Sequence, residues 1–242
     1  MNAYSNKTLK ELAAENYQIT NVYEKYQLDF DKNAEMKLEA IAKEKEIDLK
    51  QLIVAIEEEK TKEKNKLNFK FWPLDFLAEY IVKEYHAKAE KEIQELKPIL
   101  EKLEEEKSTQ FPEIEKINTT FKKVSGEMAA HMKKEELMLF PFIKKMYKAK
   151  AENKKLEIPS SRFKNLIDLM LEDHDDQLEQ FDKTTEWGKQ YQLLAEKYWS
   201  EELTKTIEKL KELQEDLKQH VHLENDILFP KTIALAEEWT IS

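Results

Sequence analysis

The sequence predicts an all-α protein: an antiparallel four-helix bundle preceded by a small helical N-terminal domain. The composition suits long helices and leaves few turn-forming residues, because only 2 of the 242 residues are Gly and 6 are Pro, while 37% are charged. Several long stretches after residue 69 repeat apolar residues at the 3.6-residue spacing of a helix with one buried face. Such stretches, joined by polar connections, are typical of a helix bundle.

Residues 1–60 are predicted to form the small helical domain. Thr8 and Asp48 each precede a run of apolar residues at helical spacing, and both residue types cap helix N-termini well. Residues 57–68 are almost all charged or polar, which indicates a solvated helix end or a linker. We therefore place the linker at 61–69 and the bundle at 70–242.

The four bundle helices follow in chain order. The first begins near a Trp-Pro pair. Pro is favourable in the first turn of a helix because N–H groups there have no acceptor within the helix, so the N–H that Pro lacks is not missed. Residues 187–199 are ambiguous, and a bent continuation of the third helix is one reading of them. The helices are expected to span Trp72 to about Lys107, Glu113 to about Met146, Arg162 to Phe181, and Leu203 to Leu228.

The segment H-x-x-x-E-x-x-x-L-F-P occurs twice, once in the second predicted helix and once in the fourth. The first copy contains His131 and Glu135, and the second contains His220 and Glu224. Residues four apart lie on one face of a helix about one turn apart, so each copy points an imidazole and a carboxylate in the same direction. Each copy is therefore a candidate pair of ligands for a transition metal.

Two further histidines belong to the same layer of the bundle. His86 lies on the apolar face of the first helix, as far before the first connection as His131 lies after it. His174 holds the corresponding position in the third helix. Because helices rise about 1.5 Å per residue, these side chains should meet at one height in an up-and-down bundle.

This arrangement predicts a di-metal site. Burying two carboxylates beside four imidazoles without a cation would cost many kcal/mol, which a metal pair removes. Mixed nitrogen and oxygen ligands with shared carboxylates suit non-haem iron, whereas structural zinc prefers a closed site, usually with Cys. Manganese or mixed occupancy stays open. The predicted ligands are His86, His131, Glu135, His174, His220 and Glu224.

Other polar residues near the motifs receive different assignments. His222 lies two residues from His220 and should point to the opposite face of the helix, and Glu136 is one step away from the ligand stripe. Glu127 and Asp216 each lie one turn before a ligand histidine, so they could hydrogen-bond to it. An exposed helix face is the more frequent setting for both.

The bulk charge and composition exclude several classes of function. The net charge is −10 and Arg162 is the only arginine, which disfavours nucleic-acid binding. No apolar run is long enough to span a membrane, and the first residues lack a secretory signal. The chain has no Cys and hence no thiol or disulfide chemistry, so we expect a cytoplasmic protein.

The ligand segments resemble the haemerythrin-like cation-binding domain, and more closely the di-iron iron–sulfur cluster repair proteins of the repair-of-iron-centres family. The matching segments are Tyr85-His86, AAHMKKEE, EDH and HVHLENDILFP. Four His and two Glu fit these repair proteins better than the oxygen-carrying haemerythrins, which use five His with one Asp and one Glu. The resemblance implies two non-haem iron ions, expected to be oxo-bridged, held by the six predicted ligands.

The resemblance extends to the first residues of the chain. The segment LKELAAENYQITNVYEKYQLDF is similar to the small N-terminal domain of the repair proteins, which normally continues with a Cys pair. Asp31-Lys32-Asn33-Ala34 occupy that place here. A thiol-dependent role of this domain is therefore not expected, and a docking or packing role replaces it.

The resemblance implies a stress-response protein that helps repair iron–sulfur clusters damaged by nitric oxide or peroxide. The expected partners are damaged iron–sulfur proteins and small gas ligands (NO, O₂), without nucleic acid or membrane, and a homodimer stays open. Two alternatives also stay open: a haemerythrin-like protein that binds or senses O₂ or NO, and a di-iron reductase of NO or peroxide. Whether the protein is an enzyme is thus undecided.

Overall fold

The computed structural model describes residues 4–62, 66–154, 160–198 and 201–240, and these residues form helices joined by turns, with no strand among them. The chain divides into two compact units, Met1–Leu77 and Ala78–Ser242. The α-helices are α1 (Leu9–Glu15), α2 (Ile19–Lys25), α3 (Phe30–Asn33), α4 (Leu38–Glu44), α5 (Leu49–Thr61), α6 (Leu74–Tyr80), α7 (Ala87–Lys107), α8 (Glu113–Lys134), α9 (Phe140–Ala151), α10 (Ser160–Tyr198), α11 (Glu201–Leu223) and α12 (Phe229–Thr240). A 3-10 turn covers Phe69–Phe71, and π-helical segments cover Ile81–His86, Glu135–Leu139 and Glu224–Leu228.

Two helices of the first unit, α1 and α5, begin with the predicted caps. The Thr8 hydroxyl accepts a hydrogen bond from the backbone N–H of Glu11 at 3.1 Å, while the Glu11 carboxylate accepts from the N–H of Thr8 at 2.8 Å. This reciprocal pair satisfies two N–H groups that the first turn leaves free. Asp48 likewise accepts from the N–H of Lys50 at 2.9 Å. Both predicted caps are confirmed.

The second unit is the predicted four-helix bundle. Helices α7, α8, α10 and α11 pack in a closed ring, since each contacts two of the others. Their apolar stripes meet in one core, which includes Leu96, Phe121, Met128, Phe181 and Leu210. None of the helices in the described part of the chain combines the length and the apolar character needed to cross a membrane.

Two helix ends in the bundle differ from the prediction, while α5 ends inside the stretch predicted as a solvated helix end or a linker. The second bundle helix continues through α9 to Ala151 instead of ending near Met146. The ambiguous residues 187–198 continue α10 as an unbroken helix, while Trp199 lies outside the described residues, as does Pro159 in the predicted loop. Helix α5 extends to Thr61, and residues 63–65 of the predicted linker are also outside the described ranges. The domain boundary at 61–69 thus stays a proposal.

The three π-helical segments were not predicted, and each contains or directly follows a candidate ligand. In each, a backbone N–H bonds to the carbonyl five residues earlier: Ala87 to Val82, Phe140 to Glu135, and Phe229 to Glu224. Two of the segments precede a Leu-Phe-Pro sequence. Proline has no N–H and its ring collides with the carbonyl four residues earlier in a regular α-helix, so a wider turn there relieves the collision.

Candidate metal centre

The six predicted ligands lie together in the middle of the bundle. His86 ends one π segment, His131 lies in α8, His174 in α10 and His220 in α11. Glu135 and Glu224 begin the other two π segments. All six side chains are buried, none more than 3% exposed.

The two carboxylates lie between pairs of imidazoles. Glu135 directs Oε2 to Nε2 of His86 at 3.4 Å and Oε1 to Nε2 of His131 at 3.3 Å. The same pattern recurs at Glu224, with Oε1 3.0 Å from Nε2 of His220 and Oε2 3.1 Å from Nε2 of His174. Each carboxylate oxygen therefore faces a different histidine.

These contacts define two overlapping groups of four ligands. One group consists of His86, Glu135, His220 and Glu224, and the other of His131, Glu135, His174 and Glu224. Within each group the ligand atoms lie within 4.8 Å of one another. Both glutamates belong to both groups, as bridging carboxylates of a metal pair would.

The chemistry of these atoms fits a bound cation. Both carboxylate oxygens of Glu135 and of Glu224, and Nε2 of His131 and His174, are buried without a hydrogen bond. Leaving such groups unpaired in a protein interior costs several kcal/mol, most of all for an ionised carboxylate. Nε2 of His86 and Nε2 of His220 bond to each other at 3.1 Å, and the unpaired ligand atoms that converge beside them are satisfied when a metal ion lies between them.

The pKa values of the site follow from its buried carboxylates. Burial alone lowers the pKa of His131, but the carboxylates of Glu135, Glu224 and Asp173 outweigh burial and raise it to about 9. The pKa of His86 is raised above its ordinary value by the same balance of burial against neighbouring carboxylates. Burial raises the pKa of Glu224, yet His220 and His174 hold it well below its usual range. The raised pKa values of His86 and His131 thus favour positive charge in a layer that also holds the ionised Glu224.

Three ligand histidines also contact a polar side chain through the second ring nitrogen. In each pair the acceptor is adjacent in sequence to a ligand on a neighbouring helix. An imidazole held in this way keeps its other nitrogen in a fixed direction. The pairs are His86 Nδ1 with Glu136 at 2.9 Å, His131 Nδ1 with Asp173 at 3.2 Å, and His174 Nδ1 with Asn225 at 2.8 Å.

The sequence did not identify these three acceptors. Glu136 is one step away from the ligand stripe, and that step lets it reach a neighbouring helix. The two predicted candidates lie elsewhere: Glu127 contacts Gln180 and Lys123, and Asp216 pairs with Lys88. His222 is exposed, as predicted, and pairs with Asp226.

Aromatic rings complete the walls of the site. Phe140 stacks on the ring of His86 at 5.7 Å between centroids, and Phe229 stacks on His174 at 5.9 Å. These are the Phe residues of the two Leu-Phe-Pro sequences, so the repeated motif supplies both ligands and packing. Tyr85 lies against His220 at 5.8 Å.

Comparison with known proteins agrees with this geometry. A protein named iron-sulfur cluster repair protein ScdA from Staphylococcus haemolyticus (strain JCSC1435) is 25% identical over 211 residues, covering 87% of this chain and 90% of the relative. Iron-sulfur cluster repair protein YtfE from Musicola paradisiaca (strain Ech703) is 24% identical over 240 residues, covering 95% of this chain and 97% of the relative. Its namesake from Escherichia coli O157:H7 is 26% identical over 239 residues, covering 96% and 99%.

The Hemerythrin HHE cation binding domain family matches residues 77–232, which include every predicted ligand. The match covers most of the chain and nearly all of the bundle. The resemblance inferred from the ligand segments is thereby confirmed. The chain belongs to the hemerythrin HHE cation-binding family.

Proposed function

We propose that this chain is a di-iron protein that helps repair iron–sulfur clusters damaged by nitrosative or oxidative stress, and that it acts in the cytoplasm. One observation carries the proposal: each oxygen of Glu135 and Glu224 faces a different imidazole, so the six side chains offer two equivalent metal positions. The relatives named as iron-sulfur cluster repair proteins span nearly the whole chain and supply the biological role.

The proposed ligation follows the two groups. One ion would be held by His86 and His220, the other by His131 and His174, and Glu135 and Glu224 would bridge them. Two imidazoles and shared carboxylate oxygens for each ion suit non-haem iron. A closed structural zinc site would instead complete four ligands for a single ion.

The protein side chains bury the site and supply few ligands that belong to one metal position alone. Phe140 and Phe229 cover two of the imidazoles, and the buried layer keeps bulk water away from the carboxylates. When bound, a di-iron pair would supply redox chemistry and open coordination positions for small gas ligands. Because only two imidazoles belong to each position alone, the site can also release a metal ion to an acceptor.

The first unit is proposed to act without thiols. Asp31-Lys32 occupy the place of the expected Cys pair, and neither side chain can be oxidised or form a persulfide. We propose a docking or packing role for residues 1–60, joined through 61–69 to the metal-binding bundle at 70–242. The alignment covers 97% and 99% of two of the relatives, which supports a role for this region in addition to that of the bundle.

The fate of the metal distinguishes repair from the alternatives. The iron-loaded protein would be incubated, with added sulfide and a thiol reductant, with an iron–sulfur protein whose cluster has been removed, and cluster formation would be followed by absorption. Repair predicts that iron moves to the acceptor. A reversible O₂ or NO carrier would keep both ions through repeated gas cycles, and a reductase would consume NO or peroxide catalytically without losing iron. Either of the last two results would contradict the repair role.

A further inference from the structure

The internal repeat relates the residues around the four imidazoles in pairs. The residue directly after each motif glutamate, Glu136 or Asn225, contacts Nδ1 of a histidine on a neighbouring helix. The residue directly before each remaining histidine, Tyr85 before His86 and Asp173 before His174, lies against a motif histidine. The residue after each motif glutamate and the residue before each remaining histidine thus together contact all four imidazoles of the site.

We propose that Glu136, Asp173 and Asn225 are positioning residues, each of which holds one imidazole so that its Nε2 points to a metal position. The inference rests on the metal site proposed above. Hydrogen bonding at Nδ1 fixes both the ring orientation and the tautomer that leaves Nε2 free to bind metal. Each of the three therefore sets how tightly the chain binds metal, without touching the ion.

The two carboxylates are themselves held in place. Lys133 pairs with Glu136 at 2.7 Å and with Glu90 at 3.1 Å, while Lys134 pairs with Asp173 at 3.0 Å. Each acceptor thus has a lysine on one side and a ligand imidazole on the other. A carboxylate that a lysine already holds in place can orient the imidazole with a smaller further loss of side-chain freedom.

The fourth imidazole, that of His220, has an aromatic neighbour in place of a hydrogen-bond acceptor. Tyr85 occupies the position that corresponds to Asp173, but its ring stacks on His220 and does not accept a hydrogen bond from it. Within the described part of the chain, no side chain hydrogen-bonds to Nδ1 of His220. The position formed by His86 and His220 therefore has one oriented imidazole, whereas that of His131 and His174 has two.

The test measures metal affinity in the full chain by anaerobic titration with Fe²⁺ against a chromogenic chelator. Glu136→Ala, Asp173→Ala and Asn225→Ala should each weaken binding by roughly tenfold to a hundredfold, the usual effect of removing a partner of a metal-bound histidine. Glu136→Gln and Asp173→Asn keep an acceptor oxygen and should recover most of the affinity. Tyr85→Asp should instead increase the Fe²⁺ affinity of the weaker metal position, the one formed by His86 and His220.

Matched controls separate positioning from general stability. Glu127→Ala, on α8 one turn before His131 and half exposed, should bind Fe²⁺ like the unaltered chain. The metal-free unfolding temperature should fall in Asp173→Ala, which loses a partner of His131, but every variant should remain folded at the temperature of the titration. Unaltered affinity in the three Ala variants, or an equal loss in Glu127→Ala, would overturn the positioning role while leaving the metal site intact. An unaltered chain that fails to bind Fe²⁺ would overturn the metal site and this inference together.

Discussion

Glu135 and Glu224 are the residues on which the proposed metal centre depends most. They are fully buried, and their only ion-pair partners among the described residues are ligand histidines. An ionised carboxylate in such a place is stable only when positive charge surrounds it. In the metal-free protein the raised pKa values of His86 and His131 favour that charge, and in the loaded protein the ions would replace the protons.

Replacing either glutamate by Gln should remove the bridge between the two positions. Glu135→Gln or Glu224→Gln should lower the iron content from about two ions per chain and weaken binding by more than the roughly hundredfold limit for residues that touch only a ligand. His222→Gln, on an exposed side chain, is the matched control. Iron content and affinity measured together would decide the assignment, and equal effects from all three changes would contradict it.

The stability of the metal-free protein should depend on the charge of His131. Its pKa is about 9 in the folded chain against an ordinary 6.5, so folding favours the protonated form. This contribution is fully present below about pH 6.5 and is lost as the pH rises through about 9. The unfolding temperature of metal-free protein should therefore fall over that interval.

Two comparisons check this pH dependence. In His131→Gln the decrease should be smaller, since the titrating group is gone, and iron-loaded protein should not lose stability over the same interval because metal binding releases the protons. A metal-free protein whose unfolding temperature stayed constant or rose from pH 6.5 to 9 would show that the imidazole is not held as a cation.

The cluster of six His and Glu side chains could be predicted at the residue scale, but their hydrogen-bonding partners could not. His131 and Glu135 share a helix, and a spacing of four residues fixes their common direction. Glu136 and Asp173 act across helices, so their contacts depend on the rotation of two helices about their axes. Apolar periodicity defines that rotation too coarsely to place a hydrogen bond.

At the scale of elements, the π-helical segments direct the carboxylates. Glu135 and Glu224 each start one, and the carbonyl of each accepts from an N–H five residues later. The wider turn inserts one residue into the helical repeat, so the side chains before and after it face different directions than in a regular helix. Helix positions and caps could be predicted from apolar spacing, whereas a π segment changes only the backbone hydrogen-bond pattern.

The prolines after these segments should help to maintain them. Pro141→Ala or Pro230→Ala supplies an N–H and removes the ring collision, so a regular α-helix becomes accessible. We expect metal-free stability to rise and metal affinity to fall by roughly tenfold, comparable with other changes that misorient a ligand. Thermal unfolding and Fe²⁺ titration would measure the two effects.

Pro98 provides the control for this prediction. It lies inside α7 on an exposed face, away from any π segment. Pro98→Ala should stabilise the protein without changing metal affinity. The same loss of affinity in Pro98→Ala as in Pro141→Ala would exclude a specific role for the π segments.

At the scale of the whole molecule, the chain combines a metal-binding bundle with a small unit that holds no predicted ligand. The relatives align over nearly the whole chain, including the small unit for which a docking role is proposed. A chain that begins at Asn68, just before the bundle proposed at 70–242, should keep its metal ions because all six predicted ligands lie beyond that point. It should lose cluster-repair activity in the iron-transfer assay. Full repair activity in the shortened chain would refute the docking role.

The central claim is that six side chains hold two metal ions bridged by Glu135 and Glu224. Anomalous X-ray scattering at the iron edge, from crystals of the iron-loaded full chain, tests it most directly. The claim predicts two peaks per chain: one among His86, His220 and both glutamates, the other among His131, His174 and the same glutamates. A single peak, or a peak outside this buried layer, would contradict it.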